Sequence, residues 1–370
     1  MANRFIFIGR VSKIKDKEYF EHLSKSKAGD PLDMNRFSCR VRAGTNTVFA
    51  EVSGFARDEI RYKNADQEDV TILWADRKKE EVLKQMPSSR KYYADFGEEN
   101  GGRKEFATDY DFAAYLGEMF PKCSGRVRLS GQMTRWFYNE KWTNQFAITS
   151  VRMAREDEPD KLVISNDIYF THDSLDTADF KTMKTIHVSG YIAQYIDRDN
   201  GTMYIPMQFN LSGQGLNFED ELVKKRFIAK RDSFKVPANK VFHMAWISDV
   251  LNGTEVVPFD ESMLTDFQKA MIEMGENTIE DFRPSGSVYG DRITDIRLNK
   301  MNPTGDFKNG VVDTEMKESE FSIKIYTGKK KETPKPKAEP KVEPKVEPKA
   351  EAKPADVDSE FDEGADDLFA

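Results

Sequence analysis

The chain has 370 residues, with 56 Lys and Arg against 64 Asp and Glu, and a formal net charge of −8. This length suggests two domains of about 150 residues each and some additional polypeptide. The composition, 38% hydrophobic and 32% charged, is typical of a soluble chain with packed cores, and no stretch approaches the ~18 apolar residues that span a bilayer.

The two cysteines, Cys39 and Cys123, are too few and too far apart for a zinc site. They predict reduced thiols and a cytoplasmic location, with no metal or other cofactor. The N-terminus agrees with this location, because Met1–Phe5 leads directly into a β-like run without the apolar region of a secretory signal.

Charge is distributed unevenly and divides the chain into three predicted regions. Residues 1–155 carry 28 basic and 22 acidic side chains, residues 156–328 carry 19 and 30, and residues 329–370 carry 9 and 12. The net charges are therefore +6, −11 and −3. An acidic total argues against a nucleic-acid partner, but the first region taken alone is basic and favours one.

In the first region the predicted elements follow the order of an oligonucleotide-binding (OB) barrel, with three strands, a helix and two strands. The strands are Arg4–Ile14, Arg36–Arg42, Thr47–Phe55, Arg126–Tyr138 and Lys141–Met153, and the helix is Asp109–Phe120. The charged stretch before that helix is predicted to be looped, with one short helix near Lys79–Met86. Gly131, in the middle of a strand, suits a sharp bend between two sheets.

The second region repeats the pattern less clearly, and Gly190 again falls within a strand. The predicted strands are Lys184–Ile196, Thr202–Leu211, Val241–Val250, Ser287–Leu298 and Phe321–Tyr326, with a helix at Ser262–Met274. The predicted fold is therefore mainly β, with tandem OB-like barrels and isolated helices, followed by a disordered C-terminal tail. The predicted domains are 1–155, 156–328 and the tail 329–370.

The tail has two parts of different composition. Lys329–Pro354 repeats Lys-Pro and Glu-Pro, which predicts an extended, solvated linker because alternating Pro prevents helix and ladder pairing. From Asp356 onward there are seven acidic residues and no basic one. The end of this segment, Asp366, Asp367, Leu368 and Phe369, adds two large apolar side chains, which a purely solubilising tail does not need.

Aromatic and basic residues alternate around the last hairpin of the first region, as in proteins that stack bases and hold phosphates. The candidate DNA-binding residues are Arg40, Arg42, Arg126, Arg128, Arg135, Trp136, Tyr138, Lys141 and Trp142. Strand alternation places Phe137 inward with Met133, and it leaves Trp142 open between core and ligand contact. A sparser set in the second region, Tyr191, Tyr195, Arg198 and Tyr204, is better explained by sheet packing.

Two segments resemble bacterial single-stranded DNA-binding proteins. Gly131-Gln132-Met133-Thr134-Arg135 with Lys141-Trp142-Thr143 is similar to their closing hairpin, and the linker with its acidic, apolar tip is similar in organisation to their tails and to those of phage replication proteins. The resemblance implies that Asp366, Asp367, Leu368 and Phe369 dock on replication, recombination and repair proteins and compete with DNA for the groove. The bacterial tip ends Asp-Asp-Asp-Ile-Pro-Phe, whereas here a Pro is lacking and Ala370 follows Phe369. The large second region suggests a phage or mobile-element version, acting in the host cytoplasm.

An enzyme is not expected. The four histidines are scattered without metal-ligand spacing, and no phosphate-binding loop or nucleophile elbow is present. Asp109 and Asp111 could hold Mg²⁺ in a nuclease, but they are better explained as the start of a helix. The sequence thus predicts a non-enzymatic single-stranded DNA-binding protein of replication or recombination. The alternative is a structural or scaffold protein, for example of a virion, that uses OB-like domains for protein contacts.

Overall fold

The computed structural model describes residues 3–26, 29–64, 66–257, 259, 261–283, 288–302 and 310–328. Its strands are β1 (Arg4–Ser12), β2 (Phe20–Lys25), β3 (Pro31–Ala43), β4 (Asn46–Phe55), β5 (Glu59–Lys63), β6 (Asp69–Leu73), β7 (Tyr92–Asp95), β8 (Arg103–Phe106), β9 (Arg126–Tyr138), β10 (Lys141–Met153), β11 (Lys161–Phe170), β12 (Leu175–Asp176), β13 (Thr185–Asp197), β14 (Gly201–Ser212), β15 (Lys240–Val257), β16 (Val288–Met301) and β17 (Val312–Lys317). Its α-helices are α1 (Glu80–Gln85), α2 (Asp109–Met119), α3 (Phe180–Met183), α4 (Glu221–Asp232), α5 (Asp266–Glu273) and α6 (Glu318–Ile323). The mainly β prediction is confirmed, whereas the predicted tail lies outside the described residues.

Five strands close the first barrel in the order β1, β3, β4, β10, β9 and back to β1. All of these pairs are antiparallel except β4 with β10, which are parallel. Helix α2 follows β4 in the chain and buries Phe112, Ala113 and Leu116 against β3 and β4. This is the barrel that the sequence predicted, with the helix in the predicted position.

A second barrel has the same topology. Its strands close in the order β11, β13, β14, β16, β15 and back to β11, with β14 and β16 as the parallel pair. Helix α4 connects β14 to β15, as α2 connects β4 to β9. Two tandem barrels are therefore present, although the exact domain boundaries at 155 and 328 stay a prediction.

Several elements of the second region differ from the sequence prediction, among them β12, β17 and α3, which were not predicted. Strand β11 and helix α4 were not predicted, and the predicted strand Phe321–Tyr326 is wrong because α6 ends at Ile323. Phe321 is fully buried against the rings of Tyr191 and Tyr204, while Ile323 is exposed. The alternating apolar pattern resembles a strand, but burial of this one phenyl ring favours a helical turn, because tertiary packing outweighs local propensity.

The two first strands of the barrels pair with each other and join the barrels into one sheet. Residues 4–8 of β1 run antiparallel to residues 161–165 of β11. Beyond Gly9, β1 leaves β11 and pairs with β3 instead. A Cβ at Gly9 would lie 2.1 Å from the carbonyl oxygen of Arg42, so this close approach at the bend needs a glycine.

In addition to this strand pairing, buried side-chain amides hold the two barrels together. The Gln194 side chain accepts a hydrogen bond from the Arg135 backbone N–H at 2.7 Å and donates one to the Arg135 carbonyl at 3.1 Å. Asn3 donates to the Ala193 carbonyl and accepts from Asn166, both at 3.1 Å. These partners satisfy polar groups that would be costly to bury alone, and they explain why β11 is not a continuous apolar run.

Residues 56–108 form an insertion between β4 and α2. It contains the β5–β6 hairpin, α1 and the β7–β8 hairpin, and β7 joins the barrel sheet alongside β10. Tyr62, Met86 and Ala107 form a small apolar cluster of its own. The predicted short helix is confirmed as α1, but much of the predicted loop is in fact paired strands.

We predict that Gly131→Ala destabilises the first barrel, because its Cβ would lie 1.9 Å from the Ala147 carbonyl oxygen. Overpacking of this kind costs about 3 kcal/mol. Urea denaturation measures the change in the free energy of unfolding. The control is Ser130→Ala on the outward face of the same strand, which should change stability by less than about 0.5 kcal/mol. Equal effects of the two variants would contradict the close-approach explanation.

Candidate nucleic-acid interface

From Val127 to Met133, the residues of strand β9 alternate between core and surface. Val127, Leu129 and Met133 are buried inside the barrel, whereas Trp136 is 37% and Tyr138 69% exposed on the other side. Side chains of a strand alternate between its two faces, so the outward face is a single row. That row is Arg126, Arg128, Ser130, Gln132, Thr134, Trp136 and Tyr138. Four of the predicted binding residues therefore share one face.

The β9–β10 turn presents the aromatic end of this row to solvent. Asn139 and Glu140 have φ angles of 47° and 61°, which is the two-residue turn that matches the twist of a hairpin. Tyr138 and Lys141 are directly opposite each other in the register. Trp136 is oriented by its indole N–H, which donates to Thr134 Oγ1 at 3.1 Å. The hairpin tip thus presents two exposed rings, with one cation opposite Tyr138.

The same outward face continues across β10 and β4 to β3. Gln145, opposite Thr134, donates to Glu51 of β4 at 2.5 Å. On the same side of β4, Phe49 is 54% exposed and lies opposite Arg40 of β3. Phe49 was not predicted as a binding residue, although its place opposite Arg40 could have been found from the predicted β3–β4 hairpin register.

Arg40 and Arg42 keep their guanidinium groups accessible. Arg40 donates to Ser12 Oγ at 3.0 Å and Arg42 to the Gly44 carbonyl at 2.9 Å. Neither forms an ion pair with a residue that the structure describes. Both side chains are exposed, so their charge is available to a polyanion.

Arg126 and Arg128 lie on the predicted face but are held by carboxylates from the segment between the barrels. Arg126 pairs with Asp160 at 2.6 Å, and Arg128 with Glu158 at 2.9 Å. Arg152 also donates to Glu158, at 2.5 Å. Hydrogen bonds from Arg152, from the Arg155 backbone and from Arg128 lower the pKa of Glu158 to about 2. A phosphate would have to displace these acids.

The structure does not bring Arg135 and Trp142 to the outward face. Arg135 shares the inward parity of Met133, and its guanidinium lies 5.7 Å from the Trp142 ring and donates to Asn144 Oδ1 at 2.6 Å. Burial lowers the pKa of Arg135 to about 10. Trp142 contacts Phe137 and, from the C-terminal segment, Tyr326. These side chains pack within the hairpin and against the C-terminal segment, and Phe137, predicted to point inward, lies among them.

A cleft of about 910 Å³ lies between the outward face and the insertion, and sequence patterns did not reveal it. Its lining includes Arg4 of β1 and Gln132 of β9 on the barrel side. Arg57, Trp74 and Arg90 line it from the insertion. The residues come from separate parts of the chain, so no local spacing indicates that they meet.

Other candidate groups have structural explanations. Tyr191 and Tyr204 pack around Phe321, as predicted, whereas Tyr195, expected to pack with them, is 62% exposed. Asp109 begins α2, and Asp111 lies in its first turn, where it accepts from Thr108 Oγ1 at 2.8 Å and pairs with Arg77 at 2.6 Å. Thr108 is the N-cap residue of that helix. The interpretation of Asp109 and Asp111 as helix-start residues is therefore supported.

Among the described residues, the side chains of His172, Asp173 and Glu318 lie close enough to hold a metal ion. His172 Nδ1 is 3.0 Å from both carboxylate oxygens of Glu318, and this direct pairing accounts for their proximity. No helix in the described ranges is long and apolar enough to cross a membrane.

Comparisons with known proteins add a structural similarity. No protein-family model and no curated protein matches the sequence. A solved structure of a deletion mutant of the single-stranded DNA-binding protein from Thermus aquaticus is similar with 9% sequence identity, covering 68% of this chain and 86% of that chain, at a TM-score of 0.28. At this TM-score the similarity carries no argument, so the function has to be inferred from the residues of this chain.

We predict that Glu158→Gln lowers the melting temperature above pH 5 and that the difference from the unsubstituted chain disappears toward pH 2. A carboxylate whose folded pKa is about 2 stabilises the fold above its unfolded pKa of about 4.3 and loses this effect as the pH falls between the two values. Thermal unfolding at a series of pH values measures it. Glu156→Gln, at an exposed neighbour, is the control. A difference that is independent of pH would contradict the ion-pair explanation.

Proposed function

We propose that this chain is a non-enzymatic single-stranded DNA-binding protein of replication or recombination. The observation that carries the proposal is the outward face of β3, β4, β10 and β9. On that face the exposed rings of Phe49, Trp136 and Tyr138 are interleaved with accessible cations. The cations at this surface are Arg40, Arg42 and Lys141.

This surface suits an unpaired strand better than a duplex. Rings of Trp, Tyr and Phe stack on the π face of any base, which a single strand exposes and a duplex does not. Strands of a sheet are about 4.8 Å apart, so Arg40 and Trp136, three strand spacings apart, are separated by about 14 Å across the face. Stacking supplies affinity without sequence selection, and the arginines and Lys141 follow the phosphates.

The remaining candidate residues have different roles in this proposal. Arg126 and Arg128 reach phosphate by exchanging Asp160 and Glu158 for it. Arg135 and Trp142 support the hairpin from behind and do not touch DNA. The rings of the hairpin that stack on bases are therefore the outward-facing ones, Trp136 and Tyr138, and not every aromatic residue of the hairpin.

We predict that Trp136→Ala and Tyr138→Ala each weaken oligo-dT binding by about 1–3 kcal/mol, because each removes one stacked base. Titration at two salt concentrations measures the affinity, and Trp136→Ala should also remove most of the quenching of tryptophan fluorescence. The matched control is Phe267→Ala, at an exposed ring on α5 of the second barrel. If the hairpin variants bind as tightly as the control, the stacking role is wrong. If the unsubstituted chain shows no salt-dependent binding, the scaffold alternative is favoured.

The acidic tip, Asp366, Asp367, Leu368 and Phe369, lies outside the described residues, and we propose that it recruits partner proteins and competes with DNA. The position of Gly328, the last described residue, supports competition between the tip and DNA within one chain. A Cβ at Gly328 would lie 2.4 Å from the Phe137 ring, so the segment that leads into the linker contacts the binding hairpin itself. An acidic segment tethered there has a high effective concentration at the cationic face.

We predict that deletion of residues 356–370 tightens oligo-dT binding several-fold at low salt, with a smaller effect at high salt because the competition is electrostatic. The affinity titration described above measures this change. A control chain in which the seven acidic residues of this segment are replaced by Asn or Gln keeps its length and should behave like the deletion. Unchanged affinity in both would contradict competition by the tip.

A further inference from the structure

We propose that the cleft between the first barrel and the insertion holds a second stretch of the same single strand, with Arg57 and Arg90 contacting its phosphates. The inference rests on the proposed function and extends it from the exposed hairpin to residues 57–93. Three features of the cleft support it: its charge, its aromatic lining and its continuity with the hairpin face.

The cleft is strongly basic. Two acidic residues, Glu51 and Asp109, line it, against six cations. The cations are Arg4, Arg57, Arg61, Arg90, Lys91 and Arg128. Such an excess on the walls of a concave site concentrates the field and attracts a polyanion.

Half of these cations are available to a ligand. Arg61 pairs with Glu59, Lys91 with Glu105 at 2.8 Å, and Arg128 with Glu158. By contrast, Arg4, Arg57 and Arg90 are exposed and form no ion pair with any residue that the structure describes. Arg4 lies on β1, whereas Arg57 and Arg90 belong to the insertion. Positive charge is therefore present on both walls of the cleft.

Aromatic side chains line the insertion wall and give a base a surface to contact. Trp74 is half-buried, with the Arg77 guanidinium 4.3 Å from its ring. Tyr93 is held by a hydrogen bond from its hydroxyl to the Ser88 carbonyl at 3.0 Å. These fixed rings lose little conformational entropy when a base packs on them. Cations and rings in one cleft match a nucleotide chain, which offers both phosphates and bases.

The cleft is continuous with the hairpin face. Gln132 and Gln145 line the cleft and also belong to the outward faces of β9 and β10. Along β9, Gln132 is separated from Trp136 by Thr134 alone on that face, a distance of about 13 Å at 3.3 Å per residue. A DNA strand that is stacked on Trp136 and runs along β9 therefore enters the cleft directly.

The test compares two double variants of the full chain with an oligo-dT of about 30 nucleotides, long enough to fill more than one barrel's site. Arg57→Ala with Arg90→Ala removes the two cations on the insertion side of the cleft that form no ion pair with a residue the structure describes. Lys63→Ala with Lys84→Ala removes two exposed cations of the insertion that do not line the cleft. We expect the first pair to weaken binding at least tenfold and to reduce the slope of log affinity against log salt by about 1.4, at 0.7 per lost phosphate contact. The control pair should change the affinity less than threefold. Circular dichroism verifies folding.

Cross-linking gives a second readout. An oligonucleotide carrying 5-iodouracil, irradiated on the unsubstituted chain, should modify the peptide that contains Tyr92 and Tyr93 as well as the hairpin peptide. Equal salt slopes for the two double variants, or cross-links confined to the hairpin, would overturn the cleft assignment while the hairpin proposal stands. Failure of the unsubstituted chain to bind would overturn the proposed function itself.

Discussion

The pairing of β9 with β1 on one side and β10 on the other is the constraint on which this structure depends. This pairing closes the first barrel, and it fixes which residues of β9 bury their side chains and which expose them. A slip of one residue would put Met133 in solvent and Trp136 in the core. Gly131 makes the register possible, because the Ala147 carbonyl occupies the space of a Cβ. The core and the proposed binding face are therefore two consequences of one register.

The same strand connects the site to the rest of the molecule. Its far end contacts the second barrel through the backbone of Arg135 and the Gln194 amide. The C-terminal segment contacts Phe137 and Trp142. Both contacts use residues with inward parity, so they stiffen the hairpin without covering Trp136 or Tyr138. The second barrel thus supports the first through these contacts.

Part of the fold could be predicted from sequence because its signals are local. Alternation along β3 and β9, the turn at Asn139 and Glu140, and the helical spacing of Phe112 and Leu116 all depend on neighbours within a few residues. Strand β11 gave no such signal, since its buried Asn166 makes its hydrogen bond to Asn3 at the start of the chain. The short helix around Phe321 depends on rings from β13 and β14 in the same way.

The sequence by itself determined the tandem barrels, the basic first region, and the parity that turns Trp136 and Tyr138 outward. Only the tertiary structure decided which cations are available. Arg126 and Arg128 are held by acids about 30 residues away, Arg135 is turned behind the hairpin, and Arg4, Arg57 and Arg90 meet at a cleft that no spacing predicts. The physical reason is that strand parity follows from backbone geometry within one segment, whereas ion pairs and clefts depend on how distant segments pack.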